Sequence, residues 1–219
     1  MFSFGWVQGQ YVLKHSINAG YSETTFKGSD FANHLELKPF TGSFFGYTIT
    51  ADFDQRYELT TGFYFTEKGY KANYSDNFYA DQVFVGEGTI EDKAAKYRYG
   101  EDLELTYLEF PFVVKKRITP LAAITAGFNV SVLLNSNIES KYIGYKVLVN
   151  DDDVEYLRHY RLGKKSDASF FLGGEIRATE WIGLTFQYEF GLVKLDSYGF
   201  TDTRINALKL GLFYVFKRN

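Results

Sequence analysis

The last strand-like stretch of this chain leaves few folds open to it. Residues 208–216 read Leu-Lys-Leu-Gly-Leu-Phe-Tyr-Val-Phe. An extended strand turns successive side chains to opposite faces. Leu208, Leu210, Leu212, Tyr214 and Phe216 therefore share one face, and Ala207, Lys209, Gly211, Phe213 and Val215 share the other. The first face is wholly apolar and ends in two aromatics, while the second carries a lysine near its middle. A helix would scatter both sets around its circumference, so the period predicts a β-strand.

The same alternation recurs upstream in seven runs: Tyr11 to Tyr21, Phe45 to Phe53, Leu59 to Thr66, Leu108 to Lys115, Ile124 to Val132, Ser169 to Arg177, and Leu184 to Leu192. Eight is an even number, as antiparallel closure in single-chain bacterial barrels requires. Tight turns are expected at Asp54–Arg56, Arg117–Pro120 and Ala178–Trp181. Long connections are expected at Ser22–Gly42, Lys68–Asp102, Asn135–Ser166 and Lys194–Thr203. Short and long connections thus alternate, which sorts loop length by barrel end. Within the third long connection, Tyr142–Val149 and Val154–Leu162 flank Asp151-Asp152-Asp153 and read as a projecting hairpin. The second is rich in aromatics (Tyr70, Tyr74, Phe78, Tyr79, Phe84), suited to capping the barrel or meeting a partner.

Aromatics make up 19% of the chain, with 18 Tyr and 22 Phe, which favours strands over helices. No apolar run reaches the roughly 18 residues of a transmembrane helix, but a transmembrane strand needs only about 9–11, alternately apolar. The polar faces carry Lys14, Asn18, Asp52, Glu109, Lys115, Asn129, Glu175, Arg177, Gln187, Glu189 and Lys209, interspersed with Gly, Ser and Thr. Sparse mid-strand charges of both signs suit a confined interior where they pair, and bulky apolar faces ending in Tyr or Phe suit lipid. The expected fold is all-β: an eight-stranded antiparallel up-and-down transmembrane barrel with short periplasmic turns and long extracellular loops. One domain spans 10–219. Residues 1–9 read as the remnant of a secretory signal, with Val7 and Gly9 at the −3 and −1 positions of a cleavage before Gln10. A net charge of −3 with no basic tract argues against nucleic acid. Absence of cysteine excludes disulfides, thiol nucleophiles and Cys-ligated metals.

Several segments resemble the PorT-like outer-membrane β-barrel family of Bacteroidetes. Residues 106–115, Thr-Tyr-Leu-Glu-Phe-Pro-Phe-Val-Val-Lys, are similar to the family's strand "YLEIPLLLKY", again between a long loop and a tight turn. Residues 62–69 are similar to "LLYSQKG", with glutamate where glutamine is common, and residues 210–216 to the terminal "LGLGYRF". The chain departs by adding Lys217-Arg218-Asn219 after the last aromatic and by placing a bulky Phe213 on the inner face. The resemblance implies an outer-membrane barrel of a Gram-negative bacterium and marks no biochemical activity. Its named member is linked to protein secretion, a role not transferred here. Lys209, Gly211, Tyr214 and Phe216 resemble the terminal signal read by the barrel-assembly machinery.

Glu109, Lys115, Glu175, Arg177, Glu189 and Lys209 form the best polar constellation. They are expected to be a structural salt-bridge network rather than an ion path, because eight strands enclose little more than their own side chains. No catalytic, cofactor-binding or metal residue is expected. His15 lies on the apolar face with Ser16 opposite, and His34 and His159 sit in long connections, so no base meets a nucleophile within one motif. Asp151-Asp152-Asp153 lacks EF-hand spacing and reads as a solvated turn. Pro111, in mid-strand, is expected to mark a bulge. The expected role is a monomeric scaffold in outer-membrane lipid, whose loops meet a protein or glycan partner and which is not a solute channel. Two other readings remain: a soluble lipocalin-like carrier of a small apolar ligand, with the apolar faces turned inward, and a lipid-modifying outer-membrane enzyme.

Overall fold

The computed structural model describes residues 12–27, 36–53, 56–78, 95–143, 166–194 and 204–218. Its strands are β1 (Leu13–Lys27), β2 (Glu36–Asp52), β3 (Tyr57–Phe78), β4 (Ala95–Arg117), β5 (Ala122–Ile143), β6 (Ser166–Arg177), β7 (Ile182–Gly191) and β8 (Arg204–Arg218). Each pairs with the next, and β8 returns to β1 to close the barrel. All eight pairings are antiparallel, and the closing seam runs from Lys14 opposite Arg218 to Lys27 opposite Arg204. Closure satisfies the edges that an open sheet would leave unpaired.

The apolar faces point outward. Leu212 is 58% exposed and Phe186 46%, whereas Lys209 is 4% exposed and Glu109 fully buried. This overturns the soluble-carrier reading, in which the apolar faces would line the cavity. On β8 the outward apolar run covers Leu208 to Phe216. At about 3.3 Å per residue and a tilt of about 40°, it spans roughly 20 Å, most of the roughly 25 Å height of a lipid-facing band. Rings pack across and along the strands on this surface, as with Phe112 on Phe128 and Tyr188 on Phe190, whose centroids lie 4.8 and 4.7 Å apart.

Two of the short turns share one device. Thr119 Oγ1 accepts from the amides of Leu121 and Ala122, and Thr179 Oγ1 from those of Trp181 and Ile182. The hydroxyl takes the donors that a turn leaves over, which stabilises a tight reversal.

The strands are longer than alternation alone predicts. β3 and β4 remain paired as far as Phe78 opposite Ala95, β5 reaches Ile143, and β2 begins at Glu36. Much of the segments expected as loops is therefore ladder. The apolar alternation stops where outward positions become polar, at Glu67, Lys71 and Glu104, but backbone pairing above the lipid needs no apolar face. Tyr142 pairs in the β5 ladder opposite Tyr99, one residue before its last pair, Ile143 opposite Arg98. Most of the expected Tyr142–Val149 and Val154–Leu162 hairpin lies outside the described residues, as do residues 1–9, His34, Tyr79, Phe84, Asp151–Asp153 and His159.

Pro111 marks no bulge. The β4–β5 register passes straight through it, opposite Asn129, and shifts instead between Thr106 and Tyr107. On the β3 side the pairing resumes in the same register, from Thr61–Phe112 to Tyr64–Glu109. The missing proline donor interrupts hydrogen bonding over one step without inserting a residue.

Two glycines make room for inward rings. Gly183 lies opposite Phe213, and a Cβ there would collide with that ring, so the bulky Phe213 is accommodated by its neighbour. A Cβ on Gly211 would lie 2.5 Å from Cζ of Phe44. The glycine of the terminal pattern is thus also a packing requirement.

Leu212→Arg and Phe186→Arg are each expected to cost about 2–4 kcal/mol near the bilayer midplane, read as loss of the folded, heat-modifiable gel band. Normal insertion of both would contradict the lipid-facing assignment. Gly211→Val is expected to cost about 1–3 kcal/mol by overpacking. In urea titrations, adding Phe44→Ala should recover part of that loss.

Candidate functional site

The inward positions of the short strand repeats place charges at two heights. Near the short-turn end, Lys14 Nζ lies 2.7 Å from Asp52 Oδ1 and 2.8 Å from Glu58 Oε1. Arg117 donates from Nε to Glu58 Oε1 at 2.8 Å and from Nη2 to Asp52 Oδ1 at 2.9 Å. Arg177 Nη2 reaches Glu58 Oε2 at 3.1 Å. One fully buried carboxylate thus serves three cations. Lys115 pairs with Glu175 beside this group. The mouth below is a cavity of about 320 Å³ between Lys14, Arg117, Arg177 and Trp181.

Higher in the lumen, Lys68 Nζ lies 2.6 Å from Glu109 Oε1 and 3.2 Å from Glu189 Oε2. Lys209 bonds Glu109 Oε2 and lies 2.7 Å from Glu189 Oε1. Two ammoniums and two carboxylates therefore alternate around a ring. Thr66 donates to Glu109 at 2.8 Å and Asn129 Nδ2 to Glu189 at 2.7 Å. Lys209 also lies 5.8 and 5.9 Å from the ring centroids of Phe44 and Tyr64, and Lys68 5.6 Å from that of Tyr107. These ring faces add favourable contact to buried ammoniums.

Apolar layers separate and seal the two groups. Phe171 lies between Glu175 and Asp167 along β6, and Phe213 lies below Lys209 on β8; both are buried. Above the upper ring, Tyr70, Leu103, Leu105, Tyr107 and Ile205 form a buried cluster, with Phe26 and Leu133 packed against it. This cluster closes the long-loop end from inside.

The six residues singled out from sequence all point inward, but they do not form one network. Glu109, Glu189 and Lys209 share the upper ring, Lys115 and Glu175 make a pair, and Arg177 joins the lower group. Sequence reasoning missed Glu58, Lys68, Arg117 and Asp167, although two of them are the partners that bind each group together. Each sits one or two residues beyond an apolar run, Lys68 and Arg117 in what read as a connection, and Glu58 and Asp167 between a connection and the next run. Extending the period by one rung at each end would have found them. His15 Nδ1 faces the hydroxyl of Tyr47 on the outer surface, with the Phe216 ring centroid 6.3 Å away.

Outward apolar faces, closure without an edge and a lumen filled by paired charges define an eight-stranded transmembrane β-barrel. The chain belongs to the outer membrane protein beta-barrel domain family, whose model matches residues 10–197. It is a protein of the bacterial outer membrane. Among solved structures it is similar to Ail, the attachment invasion locus protein of Yersinia pestis, crystallised with the heparin analogue sucrose octasulfate. Identity is 14% and the TM-score 0.43, covering 93% of this chain and 99% of that one. It is also similar to Neisserial surface protein A, at 8% identity and a TM-score of 0.46, covering 92% and 97%. A third is OprG from Pseudomonas aeruginosa, at 8% and 0.41, covering 94% and 95%. No curated protein matches the sequence.

Glu58→Gln is expected to destabilise the barrel by about 3–5 kcal/mol, because it strands buried cations. Lys116→Gln on the exposed rim should change stability by no more than about 0.5 kcal/mol. Urea midpoints of the two variants in one detergent check the contrast, and equal midpoints would show that the lower group carries little.

Proposed function

We propose that this protein is a non-conducting, non-enzymatic barrel that anchors an extracellular scaffold, and that it acts through the segments above its lipid-facing band. The observation that carries this reading is the length of β3, β4 and β5. β3 continues from Glu67 to Phe78, β4 starts at Ala95, and β5 runs to Ile143. About ten residues per strand beyond the band is roughly 30 Å of ladder. Among the described residues, the β5 ladder beyond Val132 is made with β4. The protein or glycan partner is met by this sheet and the connections it carries. The barrel itself stays monomeric in outer-membrane lipid.

The filled lumen supports the non-conducting part of the reading. Catalysis finds no support at His15, whose described partner is Tyr47 rather than a serine. PorT-like membership in Bacteroidetes is part of the same proposal. It rests on the residues at 62–69, 106–115 and 210–216, and brings no secretion role with it. Recognition by the assembly machinery through Lys209, Gly211, Tyr214 and Phe216 is likewise proposed. Tyr214 and Phe216 are on the lipid side, where such a signal would be read.

Planar-bilayer recordings of the purified barrel are expected to give no conductance steps, and defined single-channel openings would reject the scaffold reading. Replacing residues 79–94 by a two-residue turn should leave the heat-modifiable band intact while abolishing partner capture at the cell surface. A deletion strain should keep its lipid composition, and an altered acylation pattern would favour the enzyme alternative.

A further inference from the structure

The upper ring is not balanced. Asp167 joins it with its Oδ2 3.9 Å from Lys68 Nζ, so three buried carboxylates (Glu109, Glu189, Asp167) face two ammoniums (Lys68, Lys209) among the described residues. Lys68 already lies closer to Glu109 and Glu189 than to Asp167. Asp167 Oδ1 accepts from the amide of Ala168 at 2.8 Å, while Oδ2 has no hydrogen-bond donor.

The neighbours of Asp167 repeat this pattern. In the β5–β6 ladder Ser131 stands directly opposite Asp167, and Asn129 directly opposite Ser169. The four side chains occupy two adjacent inward rungs and are each at most 2% exposed. Ser131 Oγ, Ser169 Oγ and Asn129 Oδ1 are also buried without a hydrogen-bond partner. The amide nitrogen of Asn129 is committed to Glu189, which leaves its oxygen as an acceptor. Four oxygens without a hydrogen-bond donor and one excess negative charge of the ring thus lie on two adjacent rungs.

We propose that this patch binds a single small monovalent cation of the sodium type, held by Asp167 Oδ2 with Asn129, Ser131 and Ser169. Hard oxygen donors are what such an ion takes. Water would satisfy the hydroxyls but would leave the buried carboxylate without a compensating charge, which is costly. A divalent ion would replace one excess charge with the opposite one. A monovalent ion balances the ring and gives all four oxygens a partner. The site belongs to barrel stability and is independent of the scaffold reading.

The test is refolding of the full barrel in detergent at equal ionic strength in sodium chloride or choline chloride, with the melting midpoint of the heat-modifiable band as readout. Choline is too large for a two-rung patch. Sodium should raise the wild-type midpoint saturably, by about 2–4 °C or more. Asp167→Asn should match or exceed the wild type in choline and gain nothing from sodium. Ser131→Ala with Ser169→Ala keeps the carboxylate, and should fold normally in choline with a weakened sodium response. Equal wild-type midpoints in the two salts, as a hydrated patch or a proton on Asp167 would give, overturn the proposal. So does a sodium response that survives in Asp167→Asn.

Discussion

An inward charge in an eight-stranded barrel has nowhere to go except another side chain, because the enclosed space is barely wider than the side chains themselves. That constraint organises this molecule. Glu58 accepts from Lys14, Arg117 and Arg177, and Glu109 lies between Lys68 and Lys209. Each carboxylate ties together residues from strands far apart around the barrel. Removing one partner of a buried pair leaves a charge that neither lipid nor the aromatic filling can solvate. The same constraint sets the sizes of the uncharged inward residues. Phe213 is possible because Gly183 faces it, and Phe44 because Gly211 does not occupy its space.

Charged groups, buried aromatic rings and an apolar cluster follow one another along the axis of the lumen. The surface in the membrane is equally committed, since its Leu, Phe and Tyr side chains are spent on lipid. Above the lipid band the sheet itself continues. There the outward side chains turn polar at Glu67 and Glu104 while the backbone ladder continues.

Much of this was legible from alternation. The eight apolar runs map onto β1 to β8, Lys209 and Glu109 fell on the buried face as their parity requires, and Ala178–Trp181 is a turn. The ends of the strands were not legible. Lys68 lies between Glu67 and Gly69 and Asp167 between Ser166 and Ala168, so no bulky apolar neighbour advertises the strand there, and Glu58 and Arg117 sit at strand ends beside the short turns. Pro111 misled for a related reason: a proline signals a lost donor, and only the register reveals whether the lost donor also shifts the ladder.

The sequence by itself determined that the chain is built of eight strands, each with one apolar and one polar face, because a period of two is a local property that each strand carries alone; that the strands close and that the apolar faces point outward came from the tertiary structure. Only the tertiary structure decided which charges meet. Lys68 and Glu189 are 121 residues apart, and Lys209 and Glu109 are 100. Their encounter depends on the tilt and stagger with which eight strands close, a quantity that no single strand encodes.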